Sequence, residues 1–195
     1  YGISILNQAA GDGGYRYTTA YANLAYTGVR FGNNEYHRVA IGMQAGVIQR
    51  RFDPTKLKFG DQWNPVTGFD PNNISSDVIN SKGITTFDAG AGIMYFNANP
   101  NTKANFYAGF AAAHITKPKD NFGSFGSDKV PVRYTAHAGL RLRMSDEFSL
   151  TPNLLYLRQG SAQEKMLGAY GQLKVSGNTD VLLGANYRFK DALTP

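Results

Sequence analysis

The sequence predicts an all-β protein, an antiparallel up-and-down β-barrel that is incomplete, with about nine strands present. Three observations predict it. Apolar and polar residues alternate over long runs, as on a strand whose successive side chains face opposite sides. Connections between those runs fall alternately on two opposite rims. No segment reads as a helix, and no apolar run reaches the ~18 residues of a membrane helix. Composition agrees: of 195 residues 22 are Gly, 13% are aromatic and 17% are charged, against roughly 25% charged in an average soluble domain. So many aromatic and β-branched residues exclude a disordered chain. With no Cys, a disulfide scaffold, a thiolate metal site and a Cys nucleophile are excluded as well.

The elements follow in order. The first strand covers 1–7 and opens directly on Tyr1-Gly2-Ile3-Ser4-Ile5, with no leader-like segment, which suggests an interior piece of a longer protein. A long strand at 15–31 has an ambiguous facing. Over 38–48, Val39, Ile41, Met43, Ala45 and Val47 share one face, and Arg38, Ala40, Gly42, Gln44 and Gly46 the other. From Thr85, Phe87, Ala89, Ala91, Ile93 and Tyr95 oppose Asp88, Gly90, Gly92 and Met94. A strand at 103–115 precedes the clearest case, from Arg133 to Met144, where Val132, Tyr134, Ala136, Ala138, Leu140, Leu142 and Met144 oppose Arg133, Thr135, His137, Gly139, Arg141 and Arg143. Strands at 148–158 and 163–175 come next, and from Thr179 onward Val181, Leu183, Ala185, Tyr187 and Phe189 oppose Asp180, Leu182, Gly184, Asn186 and Arg188. Longer connections at 8–14, 52–83, 116–129 and 159–162 share one rim, and shorter ones at 32–34, 97–102, 145–147 and 176–178 share the other. Outer-membrane barrels show this asymmetry of long loops and short turns.

Alternation does not itself say which face meets lipid. A soluble lipocalin-like barrel or a β-sandwich carries the same pattern with the faces exchanged. A polar face of Gly, Thr and scattered Arg suits a crowded lumen. The apolar face ends in aromatics at both rims, Phe31, Tyr95, Phe106 and Phe148 at one and Phe87, Tyr134, Tyr156, Tyr187 and Phe189 at the other, as in the interfacial girdles of a membrane barrel. Pro152 falls mid-strand, where a closed barrel loses a ladder hydrogen bond; a bulge would absorb it, but the sequence does not show one.

Nothing reads as catalytic, so the protein is expected to be no enzyme and to carry no cofactor. There is no Gly-x-Ser-x-Gly elbow, phosphate loop or dinucleotide fingerprint. Gly11-Asp12-Gly13-Gly14 reads as a hairpin loop, since no helix follows it. His37, His114 and His137 lie on different strands without carboxylates at ligand spacing, which argues against a metal role. The loop from Asp70 to Asp77 (DPNNISSD) offers oxygen ligands for Ca²⁺, but Asp-Pro and Asn-Asn are ordinary turn formers. The formal charge of +6 comes from singly placed arginines rather than clusters, so no nucleic acid is expected. Under the barrel reading Arg38, Arg50, Arg133, Arg141, Arg143, Lys174 and Arg188 line the lumen against Asp88, Glu164 and Asp180. Such a lumen is either filled, its arginines paired with those acids and with carbonyls, or it is an anion-favouring passage or docking surface for an acidic segment. Lys117, Lys119 and Lys129, on a long loop, are expected to be solvated.

Several stretches together carry a resemblance: 106–118 (FYAGFAAAHITKP), 133–139 (RYTAHAG), 150–155 (LTPNLL) and 183–188 (LGANYR) followed by Asp191-Ala192. Gly42 to Gly46, then Phe52-Asp53-Pro54 and Gly60-Asp61, precede them in matching order. The sequence resembles the PorP/SprF-like outer-membrane proteins of the Bacteroidetes type IX secretion system over essentially its whole length. The resemblance implies a non-enzymatic component of the secretion and gliding motility apparatus in the cell outer membrane, in contact with outer-membrane lipid. It also implies anchoring or docking of periplasmic or outer-membrane type IX secretion components, or of a secreted adhesin's C-terminal domain. A general anion-favouring diffusion porin and a soluble lipocalin-like ligand-binding barrel are the alternatives. Family members are longer, and single-chain bacterial barrels have even strand numbers. Residues 1–195 are therefore expected to form a partial outer-membrane β-barrel domain, truncated at both ends.

Overall fold

The computed structural model describes residues 1–11, 14–53, 56–73, 75–76, 83–120, 128–177, 179–190 and 193–194. Its strands are β1 (Gly2–Ala10), β2 (Tyr15–Phe31), β3 (His37–Arg51), β4 (Trp63–Asn64), β5 (Gly68–Phe69) and β6 (Gly83–Asn97). They continue as β7 (Ala104–Ala113), β8 (Arg133–Arg143), β9 (Phe148–Gln159), β10 (Ala162–Ser176), β11 (Thr179–Arg188) and β12 (Leu193–Thr194). One 10-stranded sheet runs β1-β2-β3-β6-β7-β8-β9-β10-β11-β12, and β4 and β5 form a small separate hairpin inside the 52–82 connection. Each neighbouring pair is antiparallel. Among the described residues β1 and β12 do not pair with each other, so the up-and-down sheet is an incomplete barrel. Among the described residues no helix is long and apolar enough to cross a membrane.

Exposure decides which face meets lipid. Ile3, Ile5, Leu24, Ile41, Met43, Phe87, Ile93, Phe110, Leu167 and Leu183 are exposed, whereas the buried side chains among the described residues are Thr19, Asp88, Ser149, Thr151 and two apolar ones, Ile48 and Pro118. This is an inside-out distribution, and water would not tolerate so continuous an apolar surface on a soluble protein. The alternating pattern therefore points its apolar face outward. Cross-strand partners Leu24, Met43, Ala91, Ala112, Tyr134 and Arg158 form one outward row. That row starts mid-way along β2 and ends near the terminus of β9, the stagger of strands tilted in a barrel wall. In a flat sheet β8 would lie roughly 19 Å from β2, four spacings of ~4.8 Å away. Instead Asn23 of β2 and Arg133, Thr135 and His137 of β8 line one cavity of about 710 Å³, so the polar face is concave.

Register and turns resolve three points that the sequence left open or drew differently. The ambiguity of 15–31 comes from a bulge: register passes from Tyr26↔Ile41 to Val29↔Val39, three residues of β2 against two of β3. Outward positions are thus Leu24 and Tyr26 before it, but Val29 and Phe31 after it. At Pro152 there is no bulge in the pairing with β8. Pairing of β8 with β9 runs through Gly139↔Asn153 and resumes at Leu142↔Leu150 with unchanged register, skipping the ladder positions around the proline. The contrast in connection length is also narrower than expected, because 160–161 is a tight turn with Gly160 at φ 59.

Candidate functional site

The concave face collects the polar groups in three places. The first centres on Asp88, whose side chain is fully buried. Tyr21, Gly46 and Asp88 lie in one cross-strand row. Gly46 has no side chain, so the Tyr21 ring can reach over β3 and its hydroxyl donates to Asp88 Oδ2 at 2.6 Å. From the other side His114 Nδ1 meets the same oxygen at 2.8 Å, and Thr116 Oγ1 donates to Oδ1 at 3.3 Å. His114 takes φ 58 at the end of β7, and Ile115 N–H donates to Ala89 O at 3.0 Å. The carboxylate therefore ties the root of the 114–132 connection to the wall. Deeper in that connection Asp120 accepts both hydrogen bonds of Arg50 Nη1, at 2.7 and 2.6 Å, while the Arg50 guanidinium lies 5.4 Å from the Tyr17 ring centre.

The second place is ring packing over glycine. Gly139 lies opposite Tyr107, and Gly109 opposite His137. A Cβ at either glycine would collide with the facing ring. The Tyr107 and His137 rings stand 6.3 Å apart, so the inner wall is filled here by two rings seated on two bare backbones.

The third is the short-turn rim. Arg141, Arg143, Lys174, Asp146, Glu147 and Asp180 line an open cavity of about 510 Å³. Arg141 Nη2 donates to Ser149 Oγ at 3.4 Å, and Arg143 Nη1 to the Pro100 carbonyl at 2.5 Å. Asp180 accepts from Gln172 Nε2 at 2.7 Å.

The register thus places Arg38, Arg50, Arg133, Arg141, Arg143, Lys174 and Arg188 on the concave side, with Asp88, Glu164 and Asp180. The pairing expected of them is met by Arg188 Nε with Glu164 Oε1, at 3.6 Å. Asp88 is held by Tyr21, His114 and Thr116 instead, and Arg50 takes its carboxylate from the loop. Arg38, opposite Phe96, keeps its buried Nε without a hydrogen bond. Among the described residues, Arg133, Arg141, Arg143 and Lys174 have no carboxylate partner. Sequence reasoning named His114 without its carboxylate partner, and missed Tyr21 and Asp120. The available signal was a lone Asp opposite a Gly, but only the register identifies the side chain that bridges them.

The outward face carries two aromatic belts. At the short-turn rim Phe31 stacks on His37 at 5.3 Å, His37 on Tyr95 at 6.0 Å, and Tyr95 lies 6.2 Å from Phe106. His37 Nδ1 and the Tyr95 hydroxyl share a hydrogen bond of 2.7 Å. At the other rim Phe110 stacks on Tyr134 at 6.1 Å, and Tyr187 meets Phe189 edge-on at 5.2 Å. Among the described residues no three His, Asp or Glu side chains gather as a metal site. Asp70 caps its own turn, accepting from Asn72 N–H at 2.9 Å, while Asp77 lies outside the described residues. In the same connection Asp61 accepts from Ser76 N–H at 2.6 Å and from Ser75 Oγ at 2.8 Å, and these bonds hold its carboxyl below the usual carboxylate range.

No curated protein and no solved structure matches the chain. One family does match, over residues 1–195, and it is described as type IX secretion system membrane protein PorP/SprF.

Proposed function

Because the chain belongs to the PorP/SprF family of type IX secretion system membrane proteins, and is accordingly an outer-membrane β-barrel component of that apparatus, we propose that it acts there as a non-enzymatic dock. An acidic segment of another secretion component, or of a secreted adhesin's C-terminal domain, binds the basic lining of its concave face. The observation that carries this reading is the set of inward cations without carboxylate partners, Arg133, Arg141, Arg143 and Lys174. Three of them border the open cavity at the short-turn rim, the periplasmic end of an outer-membrane barrel. Guanidinium groups with unused donors suit bidentate capture of carboxylates. The same reading takes residues 1–195 as part of the barrel domain, with other strands completing the β1 and β12 edges, because lipid cannot satisfy an open edge.

The test is the double substitution Arg141→Glu with Arg143→Glu in the intact protein. Secretion should fall while the barrel still runs heat-modifiably in the outer-membrane fraction. Single-channel recording separates docking from diffusion. Steady, large, anion-selective openings would make the basic lining a pore and overturn the docking role.

A further inference from the structure

The outward face carries its charge at one rim. Arg16 and Arg51 are cross-strand neighbours at the long-loop rim, Arg158 stands opposite Tyr134, and Lys165 stands opposite Tyr156. All four cations are exposed. At the short-turn rim the outward strand positions among the described residues hold Phe31, His37, Tyr95, Phe106 and Phe148 and no Lys, Arg, Asp or Glu. Beside Arg158 the 114–132 connection adds two more cations. Its ends are clasped by the Lys119↔Lys129 bridge and by Val130 N–H donating to the Pro118 carbonyl at 2.9 Å. That clasp brings Lys117 and Lys129 together with Arg158, Tyr134, Val130 and Pro131 around a second open cavity of about 510 Å³. Arg158 Nε spends one donor on the Gly160 carbonyl at 3.5 Å. Among the described residues none of these three cations has a carboxylate partner.

We propose that this cavity binds the phosphate of a phosphorylated lipid headgroup in the outer leaflet. Long loops mark the outward-facing rim of an outer-membrane barrel, which puts the cavity at the level of that leaflet's headgroups. Three uncompensated cations supply the charge a phosphate needs. Tyr134, Val130 and Pro131 supply the apolar border expected where a headgroup meets acyl chains, and the outward strip of Ala112 and Phe110 continues from Tyr134 into the membrane. A soluble acidic partner would have no use for the apolar strip, and a purely apolar contact would have none for the cations.

The test uses the intact protein in detergent, titrated with bisphosphorylated lipid A and with its dephosphorylated form, bound lipid being counted by native mass spectrometry. The phosphorylated probe should stay bound and the dephosphorylated one should not. The triple variant K117Q/K129Q/R158Q should weaken binding roughly five-fold per cation, about a hundredfold in all. Equal retention of both probes by the unaltered protein would overturn the proposal without any variant. So would unchanged binding by a heat-modifiable, folded triple variant. Displacement of the lipid by millimolar inorganic phosphate would make this a soluble-anion site and overturn the lipid assignment.

Discussion

Asp88→Ala removes the acceptor on which donors from two chain segments converge. Tyr21 Oη at 2.6 Å, His114 Nδ1 at 2.8 Å and Thr116 Oγ1 at 3.3 Å all lose their partner at a position with 0% exposure. Alanine leaves space but no acceptor, and His114 is itself only 13% exposed. Hydrogen bonds to a charged group contribute about 1.5–3 kcal/mol each. Thr116 also reaches the Phe87 carbonyl at 3.3 Å and so retains an alternative, which leaves the Tyr21 and His114 bonds and an expected loss of about 3 kcal/mol. Asp88→Asn keeps a carbonyl oxygen for Tyr21 and should lose only about 1–2 kcal/mol. Urea titration of the barrel in detergent, scored by heat-modifiable migration, measures both. Limited trypsin digestion measures the local consequence, because Lys117 and Lys119 follow the tethered residue and should become readily cleaved in the alanine variant. A loss below about 1 kcal/mol with an unchanged digest would refute the claim that Asp88 anchors the loop.

Further outcomes follow from the same geometry. Ile93→Lys, on the lipid face, should cost about 2–4 kcal/mol in a bilayer while its inward neighbour Met94→Lys costs far less; equal effects would contradict the facing. Gly139→Ala should displace the Tyr107 ring at a cost of about 1–3 kcal/mol, and combining it with Tyr107→Ala should recover most of that, as a double-mutant cycle in urea would show. The lowered pKa of Asp61 means its contribution to the 59–76 loop is present at neutral pH and fades as pH falls through that depressed value. The fluorescence emission of Trp63, the chain's one tryptophan, should therefore hold its neutral-pH form to the bottom of the usual carboxylate range and shift only below it. Asp61→Asn should give the shifted emission already at neutral pH and flatten its pH dependence.

Strand identity and facing were legible because each wall residue is specified by a period of two with lipid on one side, and Val39 to Val47 or Tyr134 to Leu142 need no further context. What failed was local and geometric. A bulge after Tyr26 transposes the two faces of β2 within a single strand, and the one mark it leaves in the sequence is Gly28, which alternation alone does not read. Pro152 announces a disruption, but only the paired strand reveals that the ladder skips it without slipping. For the site, sequence located the basic inner residues and not their partners. Arg50 finds Asp120 across 70 positions and Tyr21 finds Asp88 across 67. Such separations are closed by register and loop path, neither of which leaves a local trace.

The rings seated on glycines bear on how this wall assembles. A bilayer can reject a one-residue slip between β7 and β8, since that exchanges every side chain between lipid and lumen. It is blind to a slip of two, which leaves the outward pattern intact. Against that error the lumen provides teeth and notches: with Tyr107 opposite Gly139 and His137 opposite Gly109, a two-residue shift drives Tyr107 onto His137 or Arg141. Lipid thus sets the parity of the hairpin, and the inner wall proofreads which of the remaining alignments survives.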